Sequence, residues 1–342
     1  MLYLWRNMGE EGRRRVWPLY GWFCGLMLCG SCFGVFTWSA RMINLVNQFN
    51  GVDAELRGDR VQHWSLFALH YSWVSVFYVT YAIEFLCLSA ARLMVLDRMS
   101  LFAAGQDEGR RKRWAAGGRI VMAVVVLGNA VGLAANVAAA VHGQRAAEAA
   151  STASVLYAAN NTQAAFESAS LSQTEIQLAV SIAAVQSFCQ VAVLLLVVAA
   201  FILVGVVCTR LVSSRLLAVD VESAFASEVR QLRRQIVVTT VVVFVTLVLR
   251  SVQSTMFAVA RQLQDTSRRC PGVTGFCDPS CHNQFTHMLV WMLRTPEFQV
   301  TVVLLSSPLT LLVALWGMTS KQTLQTMKSK ERVLPLVQLG VR

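Results

Sequence analysis

The sequence predicts an all-α polytopic membrane protein: a bundle of six transmembrane helices with both termini in the cytosol. Three observations carry that prediction. Of 342 residues, 55% are hydrophobic and only 14% charged, against about 25% charged in an ordinary soluble domain. Mean hydropathy is +0.51. The apolar residues also gather into runs of about 20 or more, the length a helix needs to cross hydrocarbon with its backbone polar groups satisfied internally. These features exclude a soluble enzyme and a disordered chain. The 9 cysteines are too dilute for a disulfide scaffold.

Six runs qualify as spans, near residues 17–40, 66–96, 117–141, 178–208, 236–260 and 296–318. The first follows a basic segment, but its apolar run is too long for a signal peptide, so a retained anchor is expected. The second carries Glu84, and the third carries Gly128 and Gly132, a GxxxG pattern extended by alanines. Such small residues let helix backbones approach closely. Gln186 and Gln190 lie four apart on the fourth span. No glycine or proline occurs between Gly205 and Pro271, so the fourth and fifth spans are expected to continue as helices beyond the membrane. The sixth opens at Arg294-Thr295-Pro296-Glu297, with Thr as cap and Pro at the first helical position, and Pro308 should kink it. Residues 1–318 form one transmembrane domain and 319–342 a basic cytosolic tail.

Orientation follows from where the basic residues sit. Up to Trp17, in 97–116, in 209–235 and after 318 there are 19 Lys plus Arg, against 8 in 41–65, 142–177 and 261–295. The positive-inside rule makes the first set cytoplasmic. The formal net charge of +11 is thus accounted for by topology, and nucleic acid is not needed as a partner. Clusters such as Arg110, Arg111, Lys112 and Arg113 also suit anionic lipid headgroups of the cytosolic leaflet.

Glu84 is the one carboxylate well inside a span and Arg250 the one deep arginine. Charged residues are expensive in hydrocarbon and face the protein interior or a water-filled cavity. Glu84 is expected to line an internal polar cavity, with pairing to Arg250 through long side chains as the alternative. Asn129 and Asn136 share one face of the third span by their seven-residue spacing. With Gln186 and Gln190 they are candidates either for interhelical hydrogen bonds or for a polar path. His63 and His70, also seven apart, mark a helix interface.

Cys270, Cys277 and Cys281 stand with His282 and His287 in the predicted outer segment 261–295. Their spacing matches no paired-cysteine zinc site, and outside the cytosol a disulfide between two of the three is expected. Cys24, Cys29, Cys32, Cys87, Cys189 and Cys208 lie within spans and read as small apolar residues. Asn160-Asn161-Thr162 is a glycosylation acceptor at Asn160, in the predicted outer loop. Walker A, HExxH and G-x-S-x-G motifs are absent. The chain therefore reads as a non-enzyme, with no metal and no cofactor expected.

At the cytosolic end of the second span, Leu96-Asp97-Arg98-Met99 follows Ala90-Ala91-Arg92-Leu93. This resembles the Asp-Arg-aromatic motif closing the third helix of seven-helix G protein-coupled receptors. Numbering the six spans as the second to seventh helices of such a receptor preserves every chain direction. The resemblance implies a receptor-like bundle lacking a first helix, with Asp97 and Arg98 as a state-locking pair. Met99 stands in place of the aromatic, no Asn-Pro-x-x-Tyr occurs in the last span, and no Cys-Trp-x-Pro occurs in the fifth. The expected function is receptor-like signal transmission across a plasma membrane or endomembrane, with a small-molecule ligand and a cytosolic signalling partner. The alternatives are a transporter or channel subunit with a polar path around Glu84, and a non-catalytic membrane assembly protein.

Overall fold

The computed structural model describes residues 10–104, 108–217 and 224–263, together with His287. Among them the chain is all-helical: α1 (Glu10–Leu56), α2 (Arg60–Ala104), α3 (Glu108–Ala158), α4 (Thr162–Leu217) and α5 (Ala224–Leu263). Every proline except Pro18 lies after residue 270, so nothing interrupts the backbone ladder of α2 to α5. Among the described residues, four stretches are long and apolar enough to cross a membrane: Gly21–Leu56, Arg60–Asp97, Lys112–Ala158 and Thr162–Arg210. A shorter apolar stretch, Thr240–Met256, lies in α5. The predicted sixth span at 296–318 and the tail at 319–342 lie outside the described residues. Large apolar side chains such as Trp22, Phe36, Leu127, Val131, Phe188 and Leu195 are exposed, as lipid contact requires and water would not favour.

The helices are much longer than a bilayer needs. At about 1.5 Å per residue, the 56 residues of α4 extend roughly 84 Å, against about 30 Å of hydrocarbon. The segments 41–65 and 142–177, expected as loops between spans, are instead mostly helix that carries α1 to α4 onward into two hairpin tips. Alanine explains the difference. Ala146, Ala147, Ala150, Ala153, Ala165 and Ala169 are buried, combining the best helix propensity with side chains small enough for close packing. Such a segment contains no unbroken apolar run of spanning length.

Both tips turn by the same device. Gly58 (φ 78°) and Asn160 (φ 57°) adopt left-handed conformations. Around each, the backbone closes a paired cap: Gly58 N–H to Glu55 O and Asp59 N–H to Ala54 O, then Asn160 N–H to Tyr157 O and Asn161 N–H to Leu156 O. This is the Schellman ending of a helix. The next residue then caps the following helix: Asp59 Oδ1 accepts from Gln62 N–H at 2.9 Å and Asn161 Oδ1 from Ala164 N–H at 3.3 Å. Each two-residue signal, Gly-Asp or Asn-Asn, ends one helix and starts another.

The chain divides into two compact units. The first takes its described residues from Met1–Ala91, Val125–Val193 and Ser254–Arg294. In it α1 and α2 run antiparallel, as do α2 and α3, and α3 and α4. One core cluster joins Tyr71 to Ala146, Ala147 and Ala150, and another joins Val74 and Tyr78 to Ala139, Ala140, Ala179 and Ala183. The second unit takes its described residues from Arg92–Val124, Leu194–Gln253 and Thr295–Arg342. There Gly205 of α4 meets Thr240 of α5, whose Cγ2 lies 2.6 Å from where a Cβ would stand.

Candidate functional site

The polar residues singled out from sequence inside the first unit are all buried: Glu84, Asn129, Asn136, Gln186 and Gln190. Three of them tie helices together. Tyr81 OH on α2 donates to Gln190 Oε1 on α4 at 2.6 Å, and Gln190 Nε2 donates to Ser254 Oγ on α5 at 3.0 Å. Asn136 Nδ2 on α3 donates to the carbonyl of Tyr78 on α2 at 3.0 Å. Gln186 packs its Oε1 into the notch at Gly132, where a side chain on the glycine would collide with it. The Gly128–Gly132 pattern therefore does more than allow helix approach: one glycine seats Val193 and the other a buried amide.

Asn129 departs from the expected interhelical bond. Its Nδ2 donates to the carbonyl of Val125, one turn back on its own helix, at 2.8 Å, leaving Oδ1 buried with no hydrogen-bond partner, as is Gln186 Oε1. A buried acceptor without a donor forfeits its hydration at a cost of about 1–3 kcal/mol. Hydrogen-bonding capacity is thus held in reserve on α3 and α4.

Glu84 faces protein and not lipid. It is 5% exposed, and its carboxyl carbon lies 3.4 Å from the position a Cβ would take on Gly34. The absence of a side chain on α1 makes room for the carboxylate of α2. Toward the hairpin tip the same seam carries the two histidines. His63 Nδ1 lies 3.0 Å from Gly51 O and His70 Nδ1 lies 3.1 Å from Asn44 O. A carbonyl only accepts, so the proton resides on Nδ1 in both rings. The seven-residue spacing on α2 meets a matching seven-residue spacing on α1, which is the interface reading of this pair.

Arg250 is buried in the second unit. Asp97 is exposed, its carbonyl accepts from Ser100 Oγ at 2.8 Å, and α2 continues past it to Ala104; the Arg98 side chain lies outside the described residues. Cys270, Cys277 and Cys281 also lie outside them, and the six cysteines within are free thiols. Asn160 is exposed at the α3–α4 tip, so its acceptor motif is sterically open. Expression with glycosylating microsomes is expected to give a glycan-sized mass increase that Asn160→Gln abolishes. An unmodified chain, in microsomes that glycosylate a control protein, would place this tip on the cytosolic side.

Several further residues complete these contacts. Tyr81 was discoverable, because a tyrosine within a span needs an acceptor for its hydroxyl. His142 Nδ1 pairs with Glu175 Oε2 at 2.7 Å, joining α3 and α4; both residues fall in a segment expected to be a loop. Asn44, fully buried on α1, has neither Oδ1 nor Nδ2 bonded. Comparison with protein-family models, with curated proteins and with solved structures finds no match to this chain.

Proposed function

We propose that this protein is a receptor-like signal-transmitting bundle of a plasma membrane or endomembrane, in which an event at the hairpin tips on the outer side shifts helix positions at the cytosolic ends. The observation that carries the reading is continuity: α4 begins one residue beyond the α3–α4 turn and runs unbroken from Thr162 to Leu217. Along it lie the side chains that hold α3, α2 and α5: Glu175, Gln186 and Gln190. A small displacement at one end of such a helix becomes a choice between packings further along, because close-packed interfaces switch between discrete states. The reserve of unpartnered acceptors on Asn129 and Gln186 supports this, since a second packing can satisfy what the first leaves unmet. The likeness of Asp97-Arg98 to the receptor motif and the matching chain directions point the same way.

The test uses the full chain in lipid nanodiscs, with a cysteine at the exposed Arg210 as the reporter. Antibody fragments raised against the tip residues 56–60 and 156–162 serve as surrogate ligands. At least one fragment is expected to change the maleimide labelling rate of Arg210→Cys several-fold, through a population shift. Unchanged labelling across a panel that demonstrably binds would count against the reading.

A second reading, a transporter or channel subunit, draws on the same buried acceptors and on Glu84 as a polar path. Electrical recording from the reconstituted protein separates the two. A current altered by Glu84→Gln would displace the receptor reading.

A further inference from the structure

Within the first unit, the seam between α1 and α2 brings two thiols together. Cys87 Sγ on α2 donates to Cys29 Sγ on α1 at 3.7 Å, and both are free thiols. The approach is built into the backbone. Gly30 is the next residue on α1, and a Cβ placed there would stand 3.3 Å from Cys87 Cβ, so the helices meet closely at this level. One turn along the same faces, Gly34 meets Glu84. The sulfurs need to close from 3.7 Å to about 2.05 Å to bond, a movement within side-chain rotation and a slight helix shift. Among the described residues no third metal-ligating side chain joins the pair, which favours thiol chemistry over a metal site.

We propose that Cys29 and Cys87 are an oxidative modification site: a dithiol that a peroxide converts to a disulfide, clamping α1 onto α2 beside Glu84. A small uncharged peroxide enters the bundle without a polar channel. Cys29, partly exposed where Cys87 is buried, reacts first, since oxidation follows thiol exposure. Its sulfur attacks one peroxide oxygen; the O–O bond breaks, giving Cys29 sulfenic acid and one water that carries the thiol proton. The Cys87 sulfur then attacks the Cys29 sulfur, the S–OH bond breaks, and the Cys87 proton leaves with hydroxide as a second water. Two electrons pass from the two thiols to the peroxide. The α1–α2 hairpin, already closed at Gly58, is thereby closed again below Glu84, and α1 can no longer part from α2 there.

The test treats the full chain in lipid nanodiscs with hydrogen peroxide until Cys32, exposed on α1, is fully oxidised. Free thiols are then alkylated and the non-reduced peptides mapped by mass spectrometry. The expected result is a dominant Cys29–Cys87 peptide pair, reversed by dithiothreitol, retained in Cys32→Ser and absent in Cys29→Ser. Gly30→Leu, which keeps both thiols but separates the helices, is expected to lower the yield at least tenfold. If Gly30→Leu fails to fold, the two cysteine variants carry the test. The proposal is overturned if Cys29 and Cys87 remain alkylatable while Cys32 is oxidised. It is equally overturned if Cys29 links instead to Cys24, to Cys32 or to a second chain.

Discussion

Gly51→Leu is expected to destabilise the protein by about 3 kcal/mol, the upper end for overpacking a tight interior. A Cβ at Gly51 would stand 2.7 Å from Cδ2 and Cε2 of Phe67, a half-buried ring hemmed in by an aromatic cluster. It lies 4.6 Å from the His63 ring, 5.6 Å from His70 and 5.7 Å from Tyr71, centroid to centroid. The ordinary benefit of removing a helical glycine, about 1 kcal/mol, is therefore outweighed. Lifting α1 also strains the bond from His63 to Gly51 O, worth about 1 kcal/mol. Gly118→Ala provides the opposite sign: nothing lies within 4 Å of its added Cβ, so the propensity gain of about 1 kcal/mol should appear undiminished. Titration with sodium dodecyl sulfate in lipid–detergent micelles, followed by helical circular dichroism, measures both. Equal midpoints for Gly51→Leu and the parent would refute the close α1–α2 approach.

Gln190→Leu should cost about 2 kcal/mol, although it replaces a polar group in an apolar span by an apolar one. Gln190 both accepts from Tyr81 OH and donates to Ser254 Oγ, so its loss removes two interhelical bonds at once. Such bonds in lipid average about 0.6 kcal/mol and reach about 1.7, and the stranded partners add to the loss. A double-mutant cycle with Tyr81→Phe isolates the bond between them. In the Gln190→Leu background, Tyr81→Phe is expected to be neutral or stabilising, because it removes a hydroxyl already without its acceptor. Strictly additive losses would show that the 2.6 Å bond contributes nothing to stability.

The legible part of the candidate site consisted of residues out of place in lipid. Glu84, Asn129, Asn136, Gln186, Gln190 and Arg250 stood out from sequence because a polar group in an apolar run must find the protein interior, and all six are buried. Of their partners only Tyr81 carried a signal, a hydroxyl in need of an acceptor. Ser254 and Gly34 are unremarkable in composition, and only the register between helices brings them to Gln190 and Glu84. The cysteines teach the same lesson. Read singly, Cys29 and Cys87 were small apolar residues; 58 positions apart in the chain, they become a pair through the antiparallel register of α1 and α2.

What can be read off the chain alone is the solvent the protein is made for. Apolar runs and a basic excess confined to one set of segments follow from local chemistry: hydrocarbon admits only self-satisfied helices, and basic residues stay on the cytosolic side. How far the helices extend and what they hold were decided by packing. The alanine-rich segments of α3 and α4 have no long apolar run to announce them, and they are helical because Ala146, Ala150 and Ala153 bury themselves against other helices. Long-range contact supplies that burial, and its energy is absent from any local stretch of sequence.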